Sequence, residues 1–182
     1  MSKRILFPLL VALAVLGLRA TPPAAHAEDA AATGNYSAAE LKELVGPVAL
    51  SPDMVVASLL PATTFPTQIT EAAALLASKG GTVTEVPADT TWDSSVQALL
   101  QYPDLLVWLK DNPDWVAQMG FAVANQQSDV LAAIQDFRLQ AQTAGNLTSD
   151  THQVVTTQDS SDGSTQVIVI QPADPAVVYV PT

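Results

Sequence analysis

The chain contains no cysteine. Disulfides, thiolate metal sites, cysteine nucleophiles and a lipid-anchor cysteine are therefore excluded. Histidine is nearly as scarce, with two residues. His26 lies in an N-terminal export segment, so His152 alone is left to the folded protein. A zinc or copper site built on several imidazoles is impossible. A Ser-His-Asp triad would have to use His152, which reads more simply as a solvated residue at a strand start. The patterns G-x-S-x-G, S-x-x-K, G-x-G-x-x-G and the P-loop are all absent. No catalytic, cofactor-binding or metal-binding residue is assigned, and the expectation is a protein that is not an enzyme and carries no cofactor.

Positive charge is the next scarcity: seven Lys and Arg stand against 18 Asp and Glu. Three of the seven, Lys3, Arg4 and Arg19, fall in residues 1–27. There Lys3 and Arg4 precede the apolar run Ile5 to Leu18, and Ala25-His26-Ala27 has the small-x-small form of a cleavage site. This is the pattern of a secretory signal peptide, with cleavage expected between Ala27 and Glu28. The rival is a membrane-associated protein held by an uncleaved N-terminus. The run is about 14 residues and contains Pro8, whereas spanning takes roughly 20. After removal, Lys42, Lys79, Lys110 and Arg138 face 18 acids, a formal charge of −14. Such a chain is not drawn to nucleic acid or to an anionic lipid surface. Solubility accounts for the acidity; recruitment of divalent cations or of a basic partner is the sharper account.

Against these absences stands one organising stretch, Trp92 to Leu147. Asn112 as N-cap, Pro113 in the first turn and Asp114 at the positive end of the dipole predict the start of a long helix. Gly145 predicts its end. Val116, Val123, Val130, Ile134, Phe137 and Ala141 recur at helical spacing and make one apolar stripe. About 30 residues give a rod of roughly 45 Å.

Upstream, residues 28–36 read as a disordered leader. Ser37-Ala-Ala-Glu40 is a capping box, and Leu41, Leu44, Val45 and Val48 form the stripe of a short helix limited by Gly46-Pro47. Ser51-Pro52-Asp53 opens a helix over Met54 to Leu60 that is apolar nearly all round, stopped by Pro61. Pro66 begins another, with Ile69, Ala72, Ala73 and Leu76 on one face and Gly80-Gly81 at its end. After the loop 82–91, Asp93 caps a helix carrying Val96, Leu99 and Leu100. Tyr102-Pro103-Asp104 opens the next, with Leu105, Trp108 and Leu109 on one face.

Beyond Leu147 the pattern turns to strands: 153–158, 165–170 and 176–180, separated by turns at 159–163 and 172–175. They predict an antiparallel meander whose middle strand is apolar on both faces and takes the long helix as its cover. The fold class is α+β, mostly helical around one long helix and followed by a small antiparallel sheet. Residues 37–182 are read as one domain, 37–147 helical and 152–181 sheet. The last strand leaves an edge at Val177, Val178, Tyr179 and Val180 with no lysine or bulge to blunt it. It is the expected site for pairing with an unknown protein partner by β-augmentation.

Two weaker constellations compete. Trp108, Asp111, Asp114 and Trp115, with Asp104 nearby, have the residue types of a glycan-binding or glycan-hydrolysing cleft. Capping and core packing explain the same residues. Asp159-Ser-Ser-Asp-Gly163 resembles a cation loop but lacks further ligands, and turn chemistry explains it.

Several segments together resemble a known family. Pro47-Val-Ala-Leu-Ser-Pro-Asp53 is followed in order by Thr64-Phe-Pro66, Trp92-Asp-Ser-Ser-Val96, Asp114-Trp115, Gln126-Gln127, Gly145-Asn-Leu147 and Val178-Tyr-Val-Pro181. This series is similar to that of an uncharacterised bacterial envelope family, domain of unknown function 3300, over roughly residues 40–181. Ser51 departs from the tyrosine common in that family. Its members also usually continue past the Tyr-Val-Pro strand, where this chain ends at Thr182, as a short form or a truncated product would. The resemblance implies export and supplies no catalytic or binding residues. The expected function is a non-enzymatic interaction or structural module of the bacterial periplasm, or one that is secreted.

Overall fold

A computed structural model describes residues 34–83, 86–159 and 166–174. Six helices precede two strands: α1 Ala38–Val45, α2 Asp53–Ala62, α3 Pro66–Ser78, α4 Ser94–Leu99, α5 Pro103–Asp111, α6 Pro113–Thr143, β1 Gln153–Asp159 and β2 Gln166–Pro172. The architecture is α+β, with α6 running through the helical part. The signal segment 1–27, leader residues 28–33, most of the 159–163 turn and the third strand, 176–180, lie outside the described residues.

Local chemistry starts the helices. At α1 the Ser37 amide donates to Glu40 Oε2 at 2.8 Å and the Glu40 amide donates back to Ser37 Oγ at 3.4 Å, a closed capping box. At α4 the Asp93 carboxylate accepts from the Ser95 amide at 2.9 Å and from its hydroxyl. These two bonds, the hydroxyl's first, hold the Asp93 carboxyl below its usual value. The cap's contribution is therefore complete above the unfolded aspartate pKa and is lost as pH falls through the lower folded one. The start of α4 is also tied to α3: the Trp92 indole donates to Glu71 and the Asp93 amide to Gln68.

Helix α6 follows the predicted span and ends as predicted, with Gly145 at φ +77° and the Asn146 and Leu147 amides folding back to the Ala141 carbonyl. Two expectations about it need correction. It is not one uninterrupted rod, because Gln126 sits at φ −141°, ψ 39°, outside helical values. Asn112 does not cap it through its side chain. That amide donates instead to the Trp108 carbonyl at 2.8 Å, closing α5. The amide is thus turned toward the end of α5, and its oxygen takes no bond from the first turn of α6.

Helix α2 also differs from expectation. It runs through Pro61 to Ala62, since a proline in the last turn forfeits only one helical bond. It is not buried all round: Val55, Val56, Leu59 and Leu60 are buried, while Met54 is 45% exposed and Ala57 and Pro61 are also exposed.

The core is one cluster drawn from all six helices, with α1 lying along α6, α2 against α4 and α3 against α5. Val116, Val130 and Ile134 of the α6 stripe are buried, and Phe137 packs half-buried against the cluster. A smaller cluster of Leu147, Ile168 and Ile170, with Leu50, Ala141 and Val155 beside it, seats the sheet on the helices. The strands pair antiparallel with Val155 opposite Ile170 and Thr157 opposite Ile168.

One contact fixes how closely α6 approaches α2. A Cβ on Gly120 would lie 2.3 Å from the Thr63 carbonyl oxygen. That atom is backbone, just past the end of α2, and cannot step aside. Gly120→Ala is expected to destabilise the fold by about 1–3 kcal/mol, measured as a lower midpoint in urea unfolding. An unchanged midpoint would show that the approach is not held in solution.

Candidate functional site

The most connected polar residue is Arg138, which sequence reasoning counted only as one of four remaining cations. It is 2% exposed. Its Nε donates to the Ala49 carbonyl at 2.8 Å and its Nη2 to the Ser51 carbonyl at 3.0 Å. Its Nη1 donates to the Ile168 carbonyl at 2.9 Å and pairs with Asp53 Oδ1 at 2.6 Å. The segment Ala49 to Asp53 therefore wraps the guanidinium, and β2 closes it from the other side. A signal was present in the sequence: Arg138 lies four residues after Ile134, on the apolar stripe, where a cation must find acceptors.

Two glutamines of α6 make contacts that sequence reasoning missed, although Gln126 stands in the family series. Gln135 accepts from the Ile168 amide at 2.8 Å and donates to the Ile168 carbonyl at 3.3 Å. Its side chain thus meets the outer edge of β2 as a neighbouring strand would. Gln126 does the same for Tyr36, accepting from its amide at 2.7 Å and donating to its carbonyl at 2.9 Å. The Tyr36 ring meets Phe121 edge-on at 5.9 Å. The helix interruption at Gln126 is where this amide turns to reach Tyr36. On the other edge of the sheet, Ser149 Oγ accepts from the Val155 amide and donates to its carbonyl.

At the Trp108/Trp115 constellation the two rings meet edge-to-face, 4.9 Å between centroids, half-buried against the core. The Trp115 indole donates to the Leu44 carbonyl at 2.9 Å. Asp104 and Asp114 are exposed in the first turns of α5 and α6. Asp111 is exposed and pairs with Lys110 at 2.9 Å. Packing thus engages the two indoles, while the three carboxylates face solvent. His152 is exposed just before β1, and its amide donates to Asp150. That bond first, and then the one from the Gln153 amide, hold the Asp150 carboxyl low. Among the described residues no three His, Asp or Glu gather as a metal site. The edge residues Val177, Val178, Tyr179 and Val180 lie outside the described residues.

The notable concave surface lies around the sheet. A recess of about 650 Å³ runs between the outer face of α6, at Leu131, Ala132, Gln135 and Leu139, and the strands at Thr157 and Val167. Leu131, Gln135 and Val167 also line a second recess of about 430 Å³ between α2 and α6. That one reaches Asp53, which borders a third recess beside Met54 and Pro172.

The sequence pattern of the family described as "Protein of unknown function (DUF3300)" matches residues 37–182. An uncharacterized protein of Escherichia coli (strain K12), YacH, is 31% identical over 192 residues, covering 89% of this chain and 31% of that protein. The chain thus spans about a third of the length of this curated relative. No solved structure matches the chain.

The Arg138 geometry separates two substitutions. Arg138→Met leaves three carbonyls without their donor and is expected to cost about 3–5 kcal/mol. Asp53→Asn touches a side chain 42% exposed and is expected to cost under about 1 kcal/mol. Chemical denaturation of both variants checks this, and equal losses would mean that the ion pair, not the carbonyl wrap, carries the stability.

Proposed function

From the premise that this chain belongs to the DUF3300 family of unknown function, we propose that it is a non-enzymatic interaction or structural module of the bacterial cell envelope, exported by residues 1–27. The observation that carries the reading is how the buried polar groups are used. Arg138, Gln126 and Gln135 join distant segments, and each is turned onto backbone groups, tying α6 to the 49–53 turn, to Tyr36 and to β2. These are the tasks of a scaffold. What the scaffold leaves facing solvent is apolar concave surface beside the sheet. The β-prone segment 176–180, which lies outside the described residues, is the second proposed element for a protein partner, through Val177, Val178, Tyr179 and Val180. The acidic balance of 18 acids to seven bases favours a partner that is neither nucleic acid nor an anionic membrane.

Mass spectrometry of the protein from osmotic-shock fluid tests export, with a mature N-terminus at Glu28 expected. Recovery of the intact N-terminus in the membrane fraction would overturn periplasmic release. Deleting residues 176–182 is expected to abolish association with the partner while the helical circular dichroism is kept. Full and deleted chains with identical partners would assign that strand a purely structural role.

A further inference from the structure

The proposed interaction role can be deepened to a class of partner, and the partner assignment rests on that role. Six large apolar side chains are exposed among the described residues, and three of them, Met54, Leu131 and Leu139, border the connected recesses around the sheet. Leu131 and Leu139 are 46% and 55% exposed. They lie eight residues apart on one face of α6, about 12 Å along its axis. Gln135 sits between them with its amide already committed to Ile168, and Val167 forms the facing wall. Each recess exceeds what a single side chain fills, and together they make a trough.

Acids outnumber bases on this trough. Asp136 lines the larger recess and Asp53 the other two. No lysine is among the described lining residues of the three. The cation among the described lining residues, Arg138, is 2% exposed and already bonded to three carbonyls and Asp53, so it is not offered to an occupant. With Asp53 paired to Arg138, Asp136 and the overall excess of acid are left to be matched, and the complementary occupant is apolar where it meets the leucines and cationic at its margins. A second copy of the chain answers poorly, because it brings the same large excess of acid against this one. We propose that the trough between α2, the second half of α6 and β2 takes an amphipathic helix of a partner protein whose apolar face is flanked by lysine or arginine.

The test uses the purified protein and a fluorescent 18-residue helical peptide of leucine and lysine, with the leucine–glutamate version as its counterpart. Anisotropy should show binding of the lysine peptide and none of the glutamate peptide. The double variant Leu131→Ser, Leu139→Ser should weaken binding about tenfold or more, with unchanged circular dichroism. Val107→Ser removes an equally exposed side chain on α5, which lines none of the recesses, and should leave binding within about twofold, having no contact to lose. Three results would overturn the proposal: no binding of the lysine peptide, equal binding by the double variant, or a dimer in light scattering that Leu139→Ser dissociates. The export and 176–182 deletion experiments do not involve the trough. If the peptide fails and the deletion still abolishes partner association, the interaction role stands and the trough assignment falls; failure of both removes the interaction role itself.

Discussion

A guanidinium taken out of water must find acceptors, and in this protein that requirement is met by backbone from two other parts of the chain. Arg138 leaves α6, crosses to the carbonyls of Ala49 and Ser51 and touches that of Ile168. The desolvation of one such ion costs several kcal/mol, so none of the three segments can withdraw cheaply. The turn between α1 and α2 is shaped around this side chain. Through that turn the direction of α2 is set, and with it the surface on which α4 rests. The planar fork suits the task, since its donors point in fixed directions toward several oxygens at once, as a lysine ammonium does not.

The helical periods were readable because they depend on neighbours in sequence. The capping box at Ser37, the stripe Ile69-Ala72-Ala73-Leu76 and the Gly145 stop all stand as expected. The features that escaped depend on partners far along the chain. Nothing between Phe121 and Leu131 breaks a helix by composition, having neither proline nor glycine after Gly120. At the interruption, Gln126 bonds to Tyr36, 90 residues away. Asn112 was ambiguous for the opposite reason, because two helices lie within its reach. At the candidate surfaces, Leu131 and Leu139 fall off the stripe of Val130, Ile134, Phe137 and Ala141, a visible sign of apolar surface outside the core. The strand 176–180 was readable as β-prone sequence, and it lies outside the described residues.

Three polar side chains act toward backbone as backbone would. Gln126, Gln135 and Ser149 each give a donor and an acceptor to one residue, at Tyr36, Ile168 and Val155. An amide side chain carries the same pair of groups as a peptide, so it ends a strand edge without adding a strand. Each of the two described strands is thereby met at one point, on the side away from the other, by a side chain.

The Gln135 contact also bears on how the hairpin knows its own alignment. Val167, Ile168, Val169 and Ile170 are apolar on both faces, so sliding β2 by one residue would present an equally apolar set to the helices. The strand's own composition therefore cannot tell the native pairing from its shifted neighbour. Gln135 and Arg138 cannot either, because they bond to backbone groups, and a one-residue shift would bring the same groups of Val167 or Val169 to the place where those of Ile168 now lie. What the helix about 30 residues upstream fixes is where β2 lies against α6, and not which of its residues faces which of β1.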